Sequence, residues 1–350
     1  MTTRRLGLAV WASENPMGQQ RYEAEIINRA GAALGSGWSA RGVRLASLRT
    51  PLSVDIRLPV GLMERFPASR PLMSTWAYRN CDLVHRMDVS LPPFRGPEVL
   101  TIHDLAGLHF DDETGLDLAG MAGQAKRARA VITVSEFSAD ELRQRLGITN
   151  TVVIPNGVDP RFFAAAPMDP ASLARHGLRA PFILHTSGCT ARKNLAGLAA
   201  AFADVHARRP DVSLALVGSP DPRRDALFAS LPGAVRLGRV GDEAVRALQA
   251  AAAVTVVPSL YEGFGLPALE AMAAGTPVVA AARTSLVEVC GDAALLVEPD
   301  GPSLAEGLLT ALEGGQAVAA LTQRARERAR TYTWDASARA HAEVWRSALD

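Results

Sequence analysis

The sequence predicts an α/β protein of two doubly wound, parallel-sheet domains facing each other across a cleft. Three observations predict it. At 350 residues the chain exceeds what one hydrophobic core comfortably serves and suits two domains of roughly 150 to 180 residues. Short apolar runs alternate with helical stretches along almost its whole length, the pattern of parallel strands joined by crossover helices. The alternation lapses in a stretch rich in Pro and Ala, residues 159–170, and then restarts.

In the first half the strand candidates are residues 6–11, 43–48, 83–86, 99–103 and 130–134, with helical patterns such as 21–34 between them. The opening residues carry Arg4 and Arg5 before an apolar run, which superficially resembles a signal peptide. Glu14, Asn15 and Gln19 cut that run short and no small-residue cleavage site follows, so it reads as a buried first strand. Ser138 and Glu141 read as a capping box opening a helix to Leu146, because serine and glutamate can satisfy each other's free backbone N–H groups. Residues 151–157 run as a strand into the Asn156-Gly157 turn, and the linker is placed just after it.

The second half repeats the scheme with strands at 182–186, 212–217, 235–237, 254–257, 278–281 and 294–297. Helices are expected at 195–208 and 242–252 among others. Residues 334–349 form a further amphipathic helix with no strand after it, free to pack back on the first domain. Residues 50–71, with Pro51, Pro59, Pro67 and Pro71, make the longest irregular piece. Long irregular loops of compact domains are often functional.

Composition narrows the function. The chain is 48% hydrophobic and 21% charged, as a globular protein is, with no run long enough to span a bilayer. A net charge of +1 gives no global field to attract nucleic acid. Cys81, Cys189 and Cys290 are odd in number, far apart and without metal-ligand spacing, which suits a reduced, cytoplasmic chain.

The most specific signal is the segment from Ser259 to Pro277, which follows the strand at 254–257. Gly263 and Gly265 expose backbone N–H groups, Pro267 suits a first helical turn, and Gly275 with Pro277 ends the helix. A glycine loop at a helix N-terminus is a ready anion site. Glu262 and Glu270 bracket it, and carboxylates accept paired hydrogen bonds from the vicinal hydroxyls of sugars and ribose. For either glutamate alone the alternative is ordinary: Glu262 caps the helix and Glu270 is solvated.

A second signal, Arg192-Lys193-Asn194, also lies where a strand gives way to a helix. There the fork of Arg and the point charge of Lys can clamp a diphosphate, although a basic pair at a helix start is more often a solvated face. Ile102-His103-Asp104 ends a first-domain strand and offers acid/base chemistry, a metal ligand or plain structure. The loop after the first strand holds a single Gly18 before a helix. It is no G-x-G-x-x-G fingerprint, which disfavours a NAD-dependent oxidoreductase.

Taken together, Glu262-x7-Glu270, Arg192-Lys193-Asn194, Ile102-His103-Asp104 and Ile154-Pro155-Asn156-Gly157 resemble the retaining glycosyltransferases of family four. The resemblance covers nearly the whole chain and is densest over residues 151–300. It implies the GT-B fold: a Rossmann-like acceptor-binding domain (1–160), a Rossmann-like donor-binding domain (161–332) and a C-terminal helix (333–350) packing back on the first. By the same resemblance, Arg192 and Lys193 hold the donor diphosphate and stabilise the leaving nucleotide. Glu262 and the backbone of Gly263, Phe264, Gly265 and Leu266 bind the sugar hydroxyls and distal phosphate. Glu270 takes the ribose hydroxyls, His103 contacts the donor sugar, and the base lies near Arg239 and Val240. The nucleotide-sugar is a substrate, no cofactor or divalent metal is implied, and the acceptor is a glycan or lipid-linked. The family's first loop usually carries a glycine pair where this chain has Met17-Gly18-Gln19, which leaves phosphate contact by Gly18 open.

The chemistry follows from the charges that develop. Breaking the sugar–phosphate bond leaves positive charge on the ring and negative charge on the diphosphate, where fixed cations and helix dipoles lower the barrier. No second carboxylate is placed as a nucleophile behind the ring, which favours front-face displacement over the paired-acid route of retaining glycosidases. Residues 258–297 look most like members that use GDP-mannose. A UDP- or dTDP-sugar, a nucleotide-sugar epimerase or hydrolase drawing on Asp104 or Glu113, and a non-catalytic sugar-nucleotide-binding regulator are the alternatives.

Between Arg41 and Arg95 stand nine arginines against four acids, a local excess of five. Apolar residues such as Ile56, Leu58, Phe66 and Trp76 are interleaved with them. The mixture suits peripheral contact of the first domain with an anionic membrane face. A core with a solvated arginine rim is the alternative.

Overall fold

The computed structural model describes residues 3–13, 18–59, 70–113 and 117–350, with the side chains of 70–73 outside the description. Two parallel sheets account for the two halves of the alternating pattern. Unit 1 comprises Met1–Leu105, Gly115–Gly157 and Trp334–Asp350; unit 2 comprises Ala106–Thr114 and Val158–Thr333.

Among the described residues unit 1 has seven strands: β1 (Arg4–Trp11), β2 (Trp38–Ser47), β3 (Ile56–Leu58), β4 (Leu83–Arg86), β5 (Glu98–Thr101), β6 (Ala130–Thr133) and β7 (Thr151–Val153). Their order is β3-β2-β1-β4-β5-β6-β7, with every described pairing parallel. Parallel strands covered on both faces need continuous apolar runs. In β1, Leu6, Leu8, Ala9 and Val10 are all buried. α1 (Gly18–Leu34) sends Tyr22, Ile26, Ala30 and Leu34 into the core at helical spacing. The stretch read as irregular contains β3, and α2 (Arg70–Ala77) begins at its end, while residues 60–69 lie outside the described residues. After α3 (Leu118–Arg127), α4 runs from Glu136 to Leu146, starting earlier than the capping box implied. Ser135, not Ser138, is the N-cap and accepts from Ser138 N at 3.1 Å. Ser138, inside the first turn, instead donates its hydroxyl to the His103 carbonyl at 3.0 Å.

The last helix, α13 (Trp334–Ser347; α labels count the described helices), belongs to unit 1 and packs against α1. A buried hydrogen-bond chain fastens it. Trp345 Nε1 donates to His85 Nδ1 (3.2 Å), which leaves His85 Nε2–H to donate to Thr101 Oγ1 (2.8 Å). The Thr101 hydroxyl then donates to Tyr22 Oη (2.8 Å), and Tyr22 to His341 Nε2 (2.8 Å). His341 Nδ1–H ends the chain on the Ser337 carbonyl (2.7 Å). Every member has a partner only if both imidazoles are neutral. Burial agrees, holding His85 well below its ordinary value and His341 at about 4.

Among the described residues unit 2 has six strands: β8 (Phe182–Thr186), β9 (Ser213–Val217), β10 (Ala234–Gly238), β11 (Val254–Val257), β12 (Val278–Ala281) and β13 (Leu295–Val297). Their order is β10-β9-β8-β11-β12-β13, again parallel, so the order reverses at β8. Open sheets of this kind bind ligands at the carboxyl ends of strands beside such a reversal. One face is sealed by α6 (Leu195–Arg208) and α11 (Gly301–Glu313), whose Leu198, Phe202, Leu304 and Leu308 join Ile183, Leu214 and Val256 in one cluster. α5 (Pro170–Arg175) begins at the last residue of the stretch read as a linker and buries Leu173 in a second cluster.

Candidate functional site

The site grows out of the carboxyl ends of β8, β11 and β12. After β8 the chain crosses residues 187–190 into a 3-10 turn, Ala191–Lys193, and Asn194 then caps α6. Asn194 stands in the left-handed region (φ 53°), which asparagine tolerates better than most residues. Its Oδ1 accepts from Gly197 N (3.2 Å), and its Nδ2 donates to the carbonyls of Pro258 (3.0 Å) and Pro299 (2.7 Å). One amide thus joins the loops after β8, β11 and β13.

That tether brings the basic pair onto the first glutamate. Lys193 Nζ lies 2.6 Å from Glu262 Oε1, and Arg192 Nη1 lies 3.1 Å from Glu262 Oε2. Ser259 Oγ also donates to Glu262 Oε1 (2.8 Å), and Arg192 Nε donates to Glu113 Oε1 (2.7 Å). Burial opposes ionisation of Glu262, but Lys193 and Arg192 outweigh it and hold the carboxyl below its ordinary value. The Glu262 backbone is fixed as well: its N–H donates to Thr284 Oγ1 (3.0 Å) and its carbonyl accepts from Ser285 Oγ (2.7 Å). Thr284 itself sits at φ 50°. For a β-branched residue that is a strained conformation, of the sort concentrated at functional sites.

The glycine loop then enters α9 (Leu266–Ala274). Gly265 is its N-cap at φ 102°, and no side chain caps the helix. A Cβ at Gly265 would stand 2.7 Å from Leu286 Cδ2, so backbone conformation and space both call for glycine. Gly263 is buried, and Phe264 is a core side chain packed edge-on against Tyr332 at 5.9 Å. Leu266 opens the helix, half-buried. Glu270, one turn in, is only 8% exposed. Neither ordinary alternative holds: Glu262 is engaged by two cations rather than by the helix, and Glu270 is not solvated.

The other expected residues lie elsewhere. Arg239 is exposed beyond β10, and Val240 packs against the cluster around Leu173. Gly18 opens α1, while residues 14–17 of the loop before it lie outside the described residues. His103 follows β5 in unit 1 and meets the Tyr22 ring edge-on, centroids 4.8 Å apart. Its Nε2 is buried with no hydrogen-bond partner among the described residues. Burial lowers its pKa against the pull of Asp104 and Asp88. Glu113, weighed as an acid/base group of the first domain, belongs to unit 2 and is spent on Arg192. Among the described residues no group of three or more His, Cys, Asp or Glu side chains is placed to hold a metal ion. Nor is any described helix long and apolar enough to cross a membrane.

Comparison with known proteins agrees with this layout. Residues 19–162 match the model described as Glycosyltransferase Family 4, and residues 180–314 match Glycosyl transferases group 1. The phosphatidyl-myo-inositol mannosyltransferase of Mycobacterium tuberculosis is 31% identical over 271 residues, 71% of this chain and 69% of that one. The chain belongs to glycosyltransferase family four. The O-antigen chain mannosyltransferase B of Escherichia coli is 29% identical over 300 residues, 78% of this family-four chain and 77% of its relative. The solved sucrose-phosphate synthase of Thermosynechococcus elongatus superposes with a TM-score of 0.80 over 98% of both chains at 24% identity, which establishes the GT-B fold. The protein is therefore a glycosyltransferase.

Within this glycosyltransferase, the structure brings together Arg192, Lys193, Glu262 and the glycine loop, while His103 and Gly18 are placed in unit 1. Sequence reasoning missed Ser259, Thr284 and Ser285 as supports of Glu262, and Glu113 as a partner of Arg192. A serine–threonine pair directly beyond a strand's carboxyl end was the available signal for Thr284 and Ser285.

Proposed function

We propose that the chain transfers mannose from GDP-mannose to a glycan or lipid-linked acceptor, with retention at the anomeric carbon and without a divalent metal. The observation that carries this reading is the convergence of Arg192 and Lys193 beside a helix start that no side chain caps. A helix dipole and two cations suit a departing diphosphate. Glu262, held at five points by its side chain and backbone, is arranged to take donor-sugar hydroxyls, and Glu270 the ribose. The backbone from Gly263 to Leu266 lies by the distal phosphate, with the base beside Arg239 and Val240. His103 is assigned to the donor sugar on family resemblance, as a neutral imidazole. The cations already present supply the charge a metal would bring, so turnover is expected to survive EDTA. Loss of turnover in EDTA restored by magnesium or manganese would refute metal independence.

The mannosyl assignment draws on the curated relatives named above. A thermal-shift panel of GDP-, UDP- and dTDP-sugars tests it, because a ligand bound only by the native state raises apparent stability. GDP-mannose is expected to give the largest shift. A larger shift with a UDP- or dTDP-sugar would replace the donor, and no shift with any would refute the site.

We also infer a cytoplasmic chain that touches the inner membrane face through unit 1. Leu48 and Trp76 are 58% and 51% exposed, with Arg79 over the Trp76 ring and Arg44, Arg49 and Arg57 exposed. Arg86 takes no part, being buried against Glu98 at 3.0 Å, and Leu58 is core. Binding to anionic vesicles at low salt, abolished by Arg→Glu at 44, 49, 57 and 79, is the expected result; no co-sedimentation would refute it.

A further inference from the structure

One buried cation of unit 2 has no carboxylate. Arg224, on α7 (Pro222–Phe228), is 2% exposed. Its Nη2 donates to the Ser187 carbonyl at 2.6 Å, and its guanidinium lies beside the half-buried Cys189 thiol. Its Nε is buried with no hydrogen-bond partner among the described residues. The acids nearest in sequence are already taken: Asp221 pairs with Arg223 at 2.9 Å and Asp225 with Arg236 at 3.4 Å. Among the described residues no ion pair reaches Arg224. A desolvated guanidinium without a counter-charge is a costly arrangement, and folds that keep one usually use it.

Its position says for what. Ser187 and Gly218 lie just past the carboxyl ends of β8 and β9, neighbours in the sheet. A Cβ on Gly218 would stand 2.3 Å from Ser187 O and 2.7 Å from Arg224 Nη2, so glycine there makes the room that the guanidinium fills. The loop from Ser187 continues directly into Arg192 and Lys193. Arg224 and Lys193 both disfavour the charged form of buried His185, whose Nε2 meets Ser187 Oγ at 2.8 Å. Glu262 and Glu113 offset Arg192 and Lys193, which leaves Arg224 as surplus positive charge beside them. Adjacent strands lie about 4.8 Å apart, a separation that one diphosphate can bridge.

We propose that Arg224 is a third phosphate-binding cation of the donor site, taking an oxygen of the same nucleoside diphosphate that Arg192 and Lys193 address. The inference rests on the nucleotide-sugar reading and adds to it a residue outside the family motifs. The competing account makes Arg224 a structural cap on the Ser187 carbonyl.

Arg224→Met and Arg224→Gln separate the two, with melting temperatures of the free protein and calorimetric titrations of GDP, inorganic pyrophosphate and guanosine. The Met variant replaces a buried unpaired charge by an apolar side chain of similar reach, and the Gln variant keeps a donor for Ser187. Both are expected to melt at or above the wild-type temperature. Both are expected to bind GDP and pyrophosphate about 10- to 100-fold more weakly, with guanosine unaffected. Unchanged GDP affinity in the Gln variant overturns the proposal, as does a Met variant that melts far lower or fails to fold. Equal losses for guanosine and GDP overturn it too, by moving the contact to the base. A wild-type chain that binds neither GDP nor pyrophosphate refutes the nucleotide-sugar reading itself.

Discussion

Lys193 Nζ and Glu262 Oε1 lie 2.6 Å apart although 69 positions separate the residues in the chain. Both side chains are nearly buried, at 10% and 8% exposure, so each is the other's main compensation for leaving water. Arg192 and Ser259 share the same carboxylate. Glu262 thus ties the two cations together, and in the proposed reading a diphosphate competes with it for them.

Lys193→Ala is expected to destabilise unit 2 by about 3 kcal/mol, the lower end for a broken buried pair because Arg192 and Ser259 remain. All five tryptophans, at 11, 38, 76, 334 and 345, lie in unit 1, so far-UV circular dichroism rather than tryptophan fluorescence should report the loss. Unfolding superimposable on the wild type would show that the ion pair contributes nothing to the fold.

The two glutamates are expected to separate kinetically. Glu262→Gln should chiefly lower kcat, because sugar-hydroxyl contacts tighten as the ring flattens. Glu270→Gln should chiefly weaken nucleotide binding. Equal effects of both substitutions on GDP affinity would contradict that division.

Tyr22→Phe removes the hydroxyl that links Thr101 to His341 and leaves two buried groups short of a partner. A loss of about 1–3 kcal/mol is expected. Denaturation followed by tryptophan fluorescence reads it through Trp334 and Trp345. No loss would mean the hydroxyl chain does not fasten α13.

Stability of unit 1 is expected to peak near pH 6.5. His85, His341 and His103 are all held neutral by burial, His341 at about 4 against an ordinary 6.5. As pH falls below 6.5 the unfolded chain takes protons the folded chain refuses, so stability drops by up to about 1.4 kcal/mol per pH unit for each histidine. Glu23 works in the opposite sense. Burial pushes its carboxyl up to about 8, and Asp88 adds to the rise against the hydrogen bond from Gln19. Folded Glu23 keeps its proton where the unfolded residue has lost it, so stability falls as pH rises from about 4.5 to 8. Below pH 6.5 the three histidines outweigh it; from 6.5 to 8 it acts with little opposition. Glu23→Gln should flatten the melting temperature across that upper range, and a decline as steep as the wild type's would exclude Glu23 as its cause.

How far the sequence carries the account depends on the range of the interactions. Strands such as 83–86 and 182–186, and the helix at 195–208, were legible to the residue because apolar periodicity is local. Arg192, Lys193, Glu262 and the glycine loop stood out because their residue types sit at strand ends. What stayed hidden spans the chain. Asn194 reaches Pro299 across 105 positions, and Tyr22 reaches His341 across 319. The strain at Thr284 is a backbone state that a threonine does not announce. Ser138 was misread as a cap because Ser135, with the same hydroxyl, stands one turn earlier. The missing partner of Arg224 becomes visible only once the neighbouring acids are seen to be engaged.

Arg192 and Lys193 are proposed to hold the diphosphate of a nucleotide-sugar. Calorimetric titration of GDP into the wild type and into Lys193→Ala and Arg192→Ala, with EDTA present throughout, tests it most directly. The wild type should bind GDP without metal, and each variant should bind about 10-fold more weakly or worse, the loss of one charge-assisted contact. GDP affinity unchanged in both variants would contradict the claim.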